Sequence, residues 1–287
     1  MSTESIHSST DNIDACSIEE VVNLMSSEDL NVVKSVQKAK PDICRAVEDA
    51  VRTLKSGGRL IYIGAGTSGR LGVLDASEIY PTFGVSDRVK AIIAGGDRAV
   101  QSAVEGAEDS AEGGVRSVKD VRENDMLLGI TASGKTPFVI AALREGKHRG
   151  ATCWLLTCND IKYDFLDGVI NVMTGPEIIA GSTRLKAGTA TKMVLNMIST
   201  VTMIRSGHVY RGRMIDVVPS SKKLISRALT IIRDITNCNS EDAKHYLEMS
   251  NNNPKTAVLM MLKKMNAEDA GNLLQEYNGS LRQALEV

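Results

Sequence analysis

The fold turns on one stretch, Gly58-Arg59-Leu60-Ile61-Tyr62-Ile63-Gly64-Ala65-Gly66-Thr67-Ser68-Gly69-Arg70-Leu71-Gly72. The hydrophobic run Leu60 to Ile63, punctuated by glycine on both sides, predicts a strand buried on both faces. A Gly/Thr/Ser loop follows and opens into a helical pattern. Gly64, Gly66 and Gly69 satisfy G-x-G-x-x-G, which invites a dinucleotide reading. Such a site needs an acid at the end of the next strand, and Val89 to Ala94 runs into Gly95-Gly96 before reaching Asp97. Thr67 and Ser68 instead put two hydroxyls on a helix N-terminus, whose unpaired N–H groups and positive dipole end favour phosphate. A phosphomonoester fits the motif better than a dinucleotide; a plain capped turn would use the same residues.

Outward from this stretch the same texture repeats. Thr131-Ala132-Ser133-Gly134-Lys135-Thr136-Pro137 also follows an apolar run, Met126 to Ile130, and precedes a helical pattern. The two loops form a degenerate internal repeat able to hold one phosphate or to bind one sugar between them, with Lys135 near its charge. Further short apolar runs, Val89 to Ala94, Thr152 to Thr157 and Val169 to Met173, alternate with helical patterns. This predicts an α/β fold, a parallel sheet with helices on both faces, whose ligands sit beyond the carboxyl ends of the strands. A helix over 188–206 is apolar nearly all round, which predicts burial or a subunit interface.

On the N-terminal side, residues 1–16 are Ser/Thr-rich and read as a flexible arm that orders only on something else. Ser17 with Glu20 forms a capping box. Two further helices are expected around 28–39 and 42–55, separated by Pro41 and closed by Gly57-Gly58. After Asp216-Val217-Val218-Pro219 the strand signals stop, and 222–287 predicts three or four amphipathic helices. Two of them start alike, at Asn239-Ser240-Glu241-Asp242 and Asn266-Ala267-Glu268-Asp269. The expected organisation is an arm (1–16), a helical layer plus α/β domain (17–218) and a small C-terminal helical domain (219–287).

Composition removes several functions. With 287 residues, 34 Lys and Arg stand against 35 Asp and Glu, so no global basic field exists to hold nucleic acid or an anionic membrane. The aromatic complement of 3 Phe, 1 Trp and 6 Tyr is too thin for base-stacking platforms. Five scattered cysteines without a C-x-x-C pair read as reduced thiols. The four histidines, His7, His148, His208 and His245, make no zinc spacing. The N-terminus carries Glu4, Asp11 and Asp14 rather than a basic region and an apolar stretch, and the longest strongly apolar run, Met193 to Ile204, is too short to span a bilayer. The expected location is the cytoplasm.

Two more features could carry chemistry. Glu78, in Asp75-Ala76-Ser77-Glu78, and the set Glu105, Glu108 and Asp109 lie where strand ends meet helices, although bare acids there are usually solvated or capping. The loop Gly181-Ser182-Thr183-Arg184-Leu185-Lys186-Ala187-Gly188-Thr189 is rich in hydroxyls and cations and could meet an anion.

Taken together, Gly58 to Gly72, Asp75 to Glu78, Pro81-Thr82-Phe83-Gly84, Ala94-Gly95-Gly96, Ala103 to Asp109, Ala132 to Pro137 and Gly181 to Thr189 resemble the N-acetylmuramic acid 6-phosphate etherases, and the similarity runs from about residue 17 to 287. The resemblance implies a sugar-isomerase-type phosphosugar-binding domain, a small helical domain and a homodimer. It implies Glu78 and Glu108 as the catalytic pair, with Glu105 the near neighbour, and Thr67, Ser68, Ser133 and Thr136 as substrate-binding groups. Gly134 and Lys135 of the second loop and Lys186 of the cation-rich stretch complete the candidate substrate set. The implied reaction cleaves the lactyl ether at C3 of the phosphosugar during cell-wall recycling. No cofactor is called for, because elimination across C2–C3 next to an opened C1 aldehyde needs only positioned carboxyls. Two other classes stay open at this point: a non-catalytic phosphosugar sensor, which needs the loops but not the glutamates, and a sugar-phosphate isomerase.

Overall fold

The computed structural model describes residues 3–287. Ser17 accepts from the Glu20 N–H and Glu20 returns the bond, so the capping box opens α1 (Ile18–Lys38) as expected. One correction follows at once. The helices expected on either side of residue 28 are a single 21-residue helix, because Ser26-Ser27-Glu28-Asp29 offers a start signal but no Gly or Pro to stop the preceding turn. Pro41 sits in the first turn of α2 (Lys40–Lys55), where its missing N–H costs nothing.

β1 (Leu60–Gly64), α3 (Gly66–Ser77), α4 (Ile79–Phe83), β2 (Val89–Ile93), α5 (Arg98–Gln101), α6 (Ala111–Ser117), β3 (Met126–Ile130), α7 (Pro137–His148), β4 (Thr152–Thr157) and β5 (Gly168–Asn171) follow. The five strands form one parallel sheet in the order β2-β1-β3-β4-β5. Alternate residues divide between its faces. Ile61, Ile63, Leu127, Cys153 and Leu155 pack with Val139, Ala142 and Leu143 of α7. On the other face Trp154 donates from Nε1 to Asp49 of α2 at 2.8 Å, and Tyr62 donates to Asp75 of α3 at 2.9 Å. A sheet buried on both sides explains why its strands read as continuous apolar runs.

α8 (Lys186–Arg205) buries Ala187, Ala190, Val194, Leu195, Ile198 and Met203 but leaves Met197, Val201 and Ile204 about two-fifths exposed, so burial is one-sided. A hairpin that the sequence reading missed, β6 (Val209–Tyr210) and β7 (Arg213–Met214), turns at Arg211-Gly212, both with positive φ as a two-residue hairpin loop requires. Five C-terminal helices then replace the three or four expected: α9 (Lys222–Thr236), α10 (Ser240–Met249), α11 (Pro254–Lys263), α12 (Ala267–Glu276) and α13 (Leu281–Glu286). The last is a six-residue turn capped by Ser280, too short to announce itself by periodicity. The two matching starts are real: Asn239 and Asn266 each cap by accepting from the N–H three residues on, both at 2.8 Å.

The chain divides into two compact units. One takes the chain up to Ser77 and then Asp87–Ser199; the other takes Glu78–Ser86 and Thr200–Val287. The second has its own core, with Ile215, Val217, Ile232, Leu247, Val258, Leu259 and Leu281 fully or almost fully buried. Among the described residues no helix is long and apolar enough to cross a membrane.

Candidate functional site

The carboxyl end of the sheet carries both hydroxyl loops on adjacent strands, β1 and β3. In the first loop, Gly64 and Gly69 approach so closely that a β-carbon on Gly64 would lie 2.6 Å from the Gly69 nitrogen. That contact folds α3 sharply back from the strand and turns the half-buried Thr67 and Ser68 into its first turn. α3 has no acid in its first turn, an arrangement that leaves the positive end of its dipole without a carboxylate from its own sequence.

The second loop is held by hydroxyls. Thr131 Oγ1 lies 2.7 Å from Thr136 Oγ1 and 3.2 Å from Ser133 Oγ, and Ser133 Oγ accepts from the Lys135 N–H at 3.2 Å. Gly134 takes φ +75°, and its carbonyl accepts from Tyr163 Oη at 3.0 Å. Lys135 projects, exposed, from a loop whose helix, α7, again has no acid in its first turn. Thr131 is the residue that the sequence reading quoted but left out of the substrate set; its buried hydroxyl organises the other two.

The third helix start behaves differently. Glu177, fully buried, accepts the N–H of Lys186 through Oε2 and of Ala187 through Oε1, both at 2.9 Å. The positive end of α8 therefore already holds an anion, the protein's own carboxylate. Lys186 is also occupied: it is buried, and its Nζ sits 2.5 Å from Glu28. Burial works upward on the Glu28 carboxyl, yet the Lys186 ammonium, with Asn31 and His7, outweighs it and holds the group below its ordinary value. The signal for Glu177 was an acid beside Ile178 and Ile179, in otherwise apolar surroundings just beyond a strand.

The structure brings several candidates together. A β-carbon on Gly188 would stand 3.7 Å from Thr67 Cγ2, so the first loop meets the start of α8. The Glu108 carbonyl accepts from the Phe138 N–H at 3.0 Å, which ties this acid to the first turn of α7 directly after the second loop. Its side chain is exposed, as are those of Glu105 and Asp109. Asn159 links three segments: its Nδ2 donates to Ala132 O at 2.9 Å and to Thr3 Oγ1 at 3.2 Å, and its Oδ1 accepts from the Thr3 N–H. Thr3, fully buried, also accepts from the Gly181 N–H, so the N-terminal arm lies against the loop ends.

Glu78 is the residue the first unit does not contain. α3 runs without a break from Gly66 to Ser77, and Glu78 follows as the first residue of the second unit, about 15 Å along the helix axis from Ser68 at 1.5 Å per residue. Its carboxylate is exposed and makes no capping bond to α4.

Residues 42–147 match the model of the glucokinase regulatory protein N-terminal SIS domain. N-acetylmuramic acid 6-phosphate etherase 1 of Bacillus licheniformis is 49% identical over 273 residues, covering 93% of this chain and 90% of that protein. The etherase of Geobacillus thermodenitrificans is 44% identical over 291 residues, covering 100% of this chain and 99% of that one. Phosphoheptose isomerase of Neisseria gonorrhoeae aligns with a TM-score of 0.49 at 19% identity, over 65% of this chain and 99% of its own.

Proposed function

The chain belongs to the N-acetylmuramic acid 6-phosphate etherase family, and on that premise we propose that it cleaves the D-lactyl ether of N-acetylmuramic acid 6-phosphate, giving N-acetylglucosamine 6-phosphate and D-lactate. The observation that carries the site assignment is the pair of hydroxyl loops on adjacent strands, Thr67/Ser68 and Ser133/Thr136, each leading into a helix with no acid in its first turn, whereas the start of α8 is capped by Glu177. Gly134 shapes the second loop and Lys135 supplies an exposed cation. Lys186 supports the site through Glu28 rather than through a free ammonium.

The chemistry follows from the substrate. An alkoxide leaves poorly from an ether, but opening the sugar exposes a C1 aldehyde that acidifies the C2 proton. A carboxylate takes that proton, the C3–O bond breaks, and a carboxylic acid protonates the departing lactate oxygen. Water then adds at C3 of the resulting enal. We assign Glu108, tied to the phosphate-loop helix, as the base and Glu78 as the acid. Each such group is typically worth about 10² to 10⁴ in rate.

The unbroken α3 separates Ser68 from Glu78 by more than a hexose phosphate spans, which favours a site completed by a second copy of the chain. The exposed stripe Met197, Val201 and Ile204 on α8 supplies apolar surface for such a homodimer, and the reading places the enzyme in the cytoplasm in amino-sugar recycling. Product analysis tests the reading. Lactate release, deuterium at C2 in D₂O and ¹⁸O at C3 in labelled water are expected. Isomerised sugar phosphate without lactate, or ¹⁸O in the lactate, would sink it.

A further inference from the structure

Glu78 does not belong to the body of the sheet; it opens a short turn that the C-terminal helical unit holds. α4 buries Ile79 and Phe83, and Gly84 ends it in the left-handed region, φ +68°, with its N–H donating to Tyr80 O at 2.9 Å. Gly84 is then pressed against one atom. A β-carbon there would stand 2.6 Å from the backbone oxygen of Asp216. Any residue but glycine at this point would have to displace either the turn or Asp216.

Asp216 is itself fixed unusually well for a loop residue. Its Oδ2 lies 2.8 Å from His208 Nδ1 and 2.5 Å from Lys255 Nζ. Lys255 is 6% exposed and also donates to Gly279 O at 2.7 Å. The neighbours of Asp216, Ile215 and Val217, are buried in the helical core. A partly buried carboxylate with two cationic or ring N–H partners ties its backbone to the loop after α8 and to the start of α11, and through Lys255 to the turn before α13. A cavity of about 370 Å³ lies beside the joint, lined by Phe83, Gly84, His208, Asp216 and Asn252 among others. The turn therefore has room to shift when the contact fails.

We propose that Asp216 is a positioning residue for Glu78: the His208–Asp216–Lys255 cluster holds the Asp216 carbonyl against Gly84, and Gly84 sets where α4 presents the Glu78 carboxylate. The proposal rests on the reading of Glu78 as one of the two reacting carboxyls, and it gives the C-terminal unit a part in catalysis. Misplacing a reacting group by about 1 Å costs on the order of 10²-fold in rate without removing any group that binds substrate.

The test is a double-mutant cycle on the full-length chain. Gly84→Ala and Asp216→Asn should each lower kcat for lactate release by about tenfold to a hundredfold, with KM and the affinity for N-acetylglucosamine 6-phosphate within about twofold. In the Glu78→Gln background neither should lower the residual rate further, because both act through Glu78. If Asp216→Asn does not fold, His208→Gln, which removes one partner only, takes its place. Folded variants with unchanged kcat, or with the same loss in both backgrounds, overturn the proposal and leave Glu78 catalytic. Normal turnover by Glu78→Gln itself overturns the reading of Glu78, and this proposal with it.

Discussion

The backbone carbonyl of Glu108 accepts the N–H of Phe138 at 3.0 Å, so the acid is tied through its main chain to the helix that follows the Ser133 loop. Its exposed side chain takes no part in that bond. Glu108→Gln should therefore keep its place and lose only the proton-transfer group. We expect lactate release to fall by about 10² to 10⁴ while product affinity stays the same. Steady-state rates with calorimetry check this; near-normal release would move the role to Glu105 or Asp109.

The two hydroxyl loops should differ under truncation. Ser68→Ala removes one hydroxyl at the start of α3, whereas Ser133→Ala also removes the acceptor for the Lys135 N–H. Hydrogen bonds to a charged group are worth about 1.5 to 3 kcal/mol, so both variants should weaken N-acetylglucosamine 6-phosphate, with Ser133→Ala nearer the upper figure. Calorimetry that finds either affinity unchanged removes that residue from the phosphate site.

Glu177 accepts two backbone N–H groups in full burial. Glu177→Ala leaves both donors unpaired at the positive end of α8 and should cost about 3 kcal/mol or more; Glu177→Gln keeps one acceptor and should cost less. Denaturant midpoints order the three proteins. An alanine variant as stable as the parent would show that the cap is dispensable.

The strands and both hydroxyl loops were legible because each announces itself locally: the strands as apolar runs of four to six residues, the loops as the Gly, Ser and Thr that follow β1 and β3. Thr67 and Ser133 needed nothing more. Glu177 and Asp216 were not legible, since their partners lie in other segments, the N–H of Lys186 nine positions on in one case and Lys255 in the other. The single helix Ile18–Lys38 was misread as two for a related reason: Ser and Asp signal a start only where the preceding turn has a reason to end. Lys186 shows the limit of charge alone, because a lysine in a hydroxyl-rich loop looks free until Glu28, far away in sequence, is placed beside it.

Four of the five thiols should fall into two classes, with the half-buried Cys238 between them. Burial pushes Cys153 and Cys158 up to about 12, while Cys16 and Cys44 are exposed. Iodoacetamide at pH 8 should label Cys16 and Cys44 in the folded protein and reach Cys153 and Cys158 only on unfolding, because the thiolate is the reactive form. Rapid labelling of Cys153, read by peptide mass, would contradict the packing of β4.

Stability and activity should separate at the opposite end of the sheet. Asp125, 1% exposed, accepts from the Arg59 side chain, from the Arg59 N–H at 2.8 Å and from the Arg122 N–H at 3.0 Å, just before β1 and β3 begin. Burial works upward on its carboxyl, but the Arg59 guanidinium and the two N–H groups prevail and hold it below its ordinary value of 3.8. A depressed folded-state value means stabilisation that is complete above the unfolded value and is lost as pH falls through the folded one. Asp125→Ala takes the acceptor from two backbone N–H groups and the carboxylate from a half-buried guanidinium that keeps only the Asp120 carbonyl, and should cost about 2 to 3 kcal/mol near pH 7. Lactate release by the folded fraction should be unchanged, since the loops lie at the other end of the strands. Below about pH 4 the gap between parent and variant should narrow, because the unfolded parent then takes up a proton that the folded carboxyl, held lower, still refuses. Denaturation curves at pH 7 and at successively lower pH decide it; a gap that stays constant through this range would mean that the pair with Arg59 is not what stabilises the strand starts.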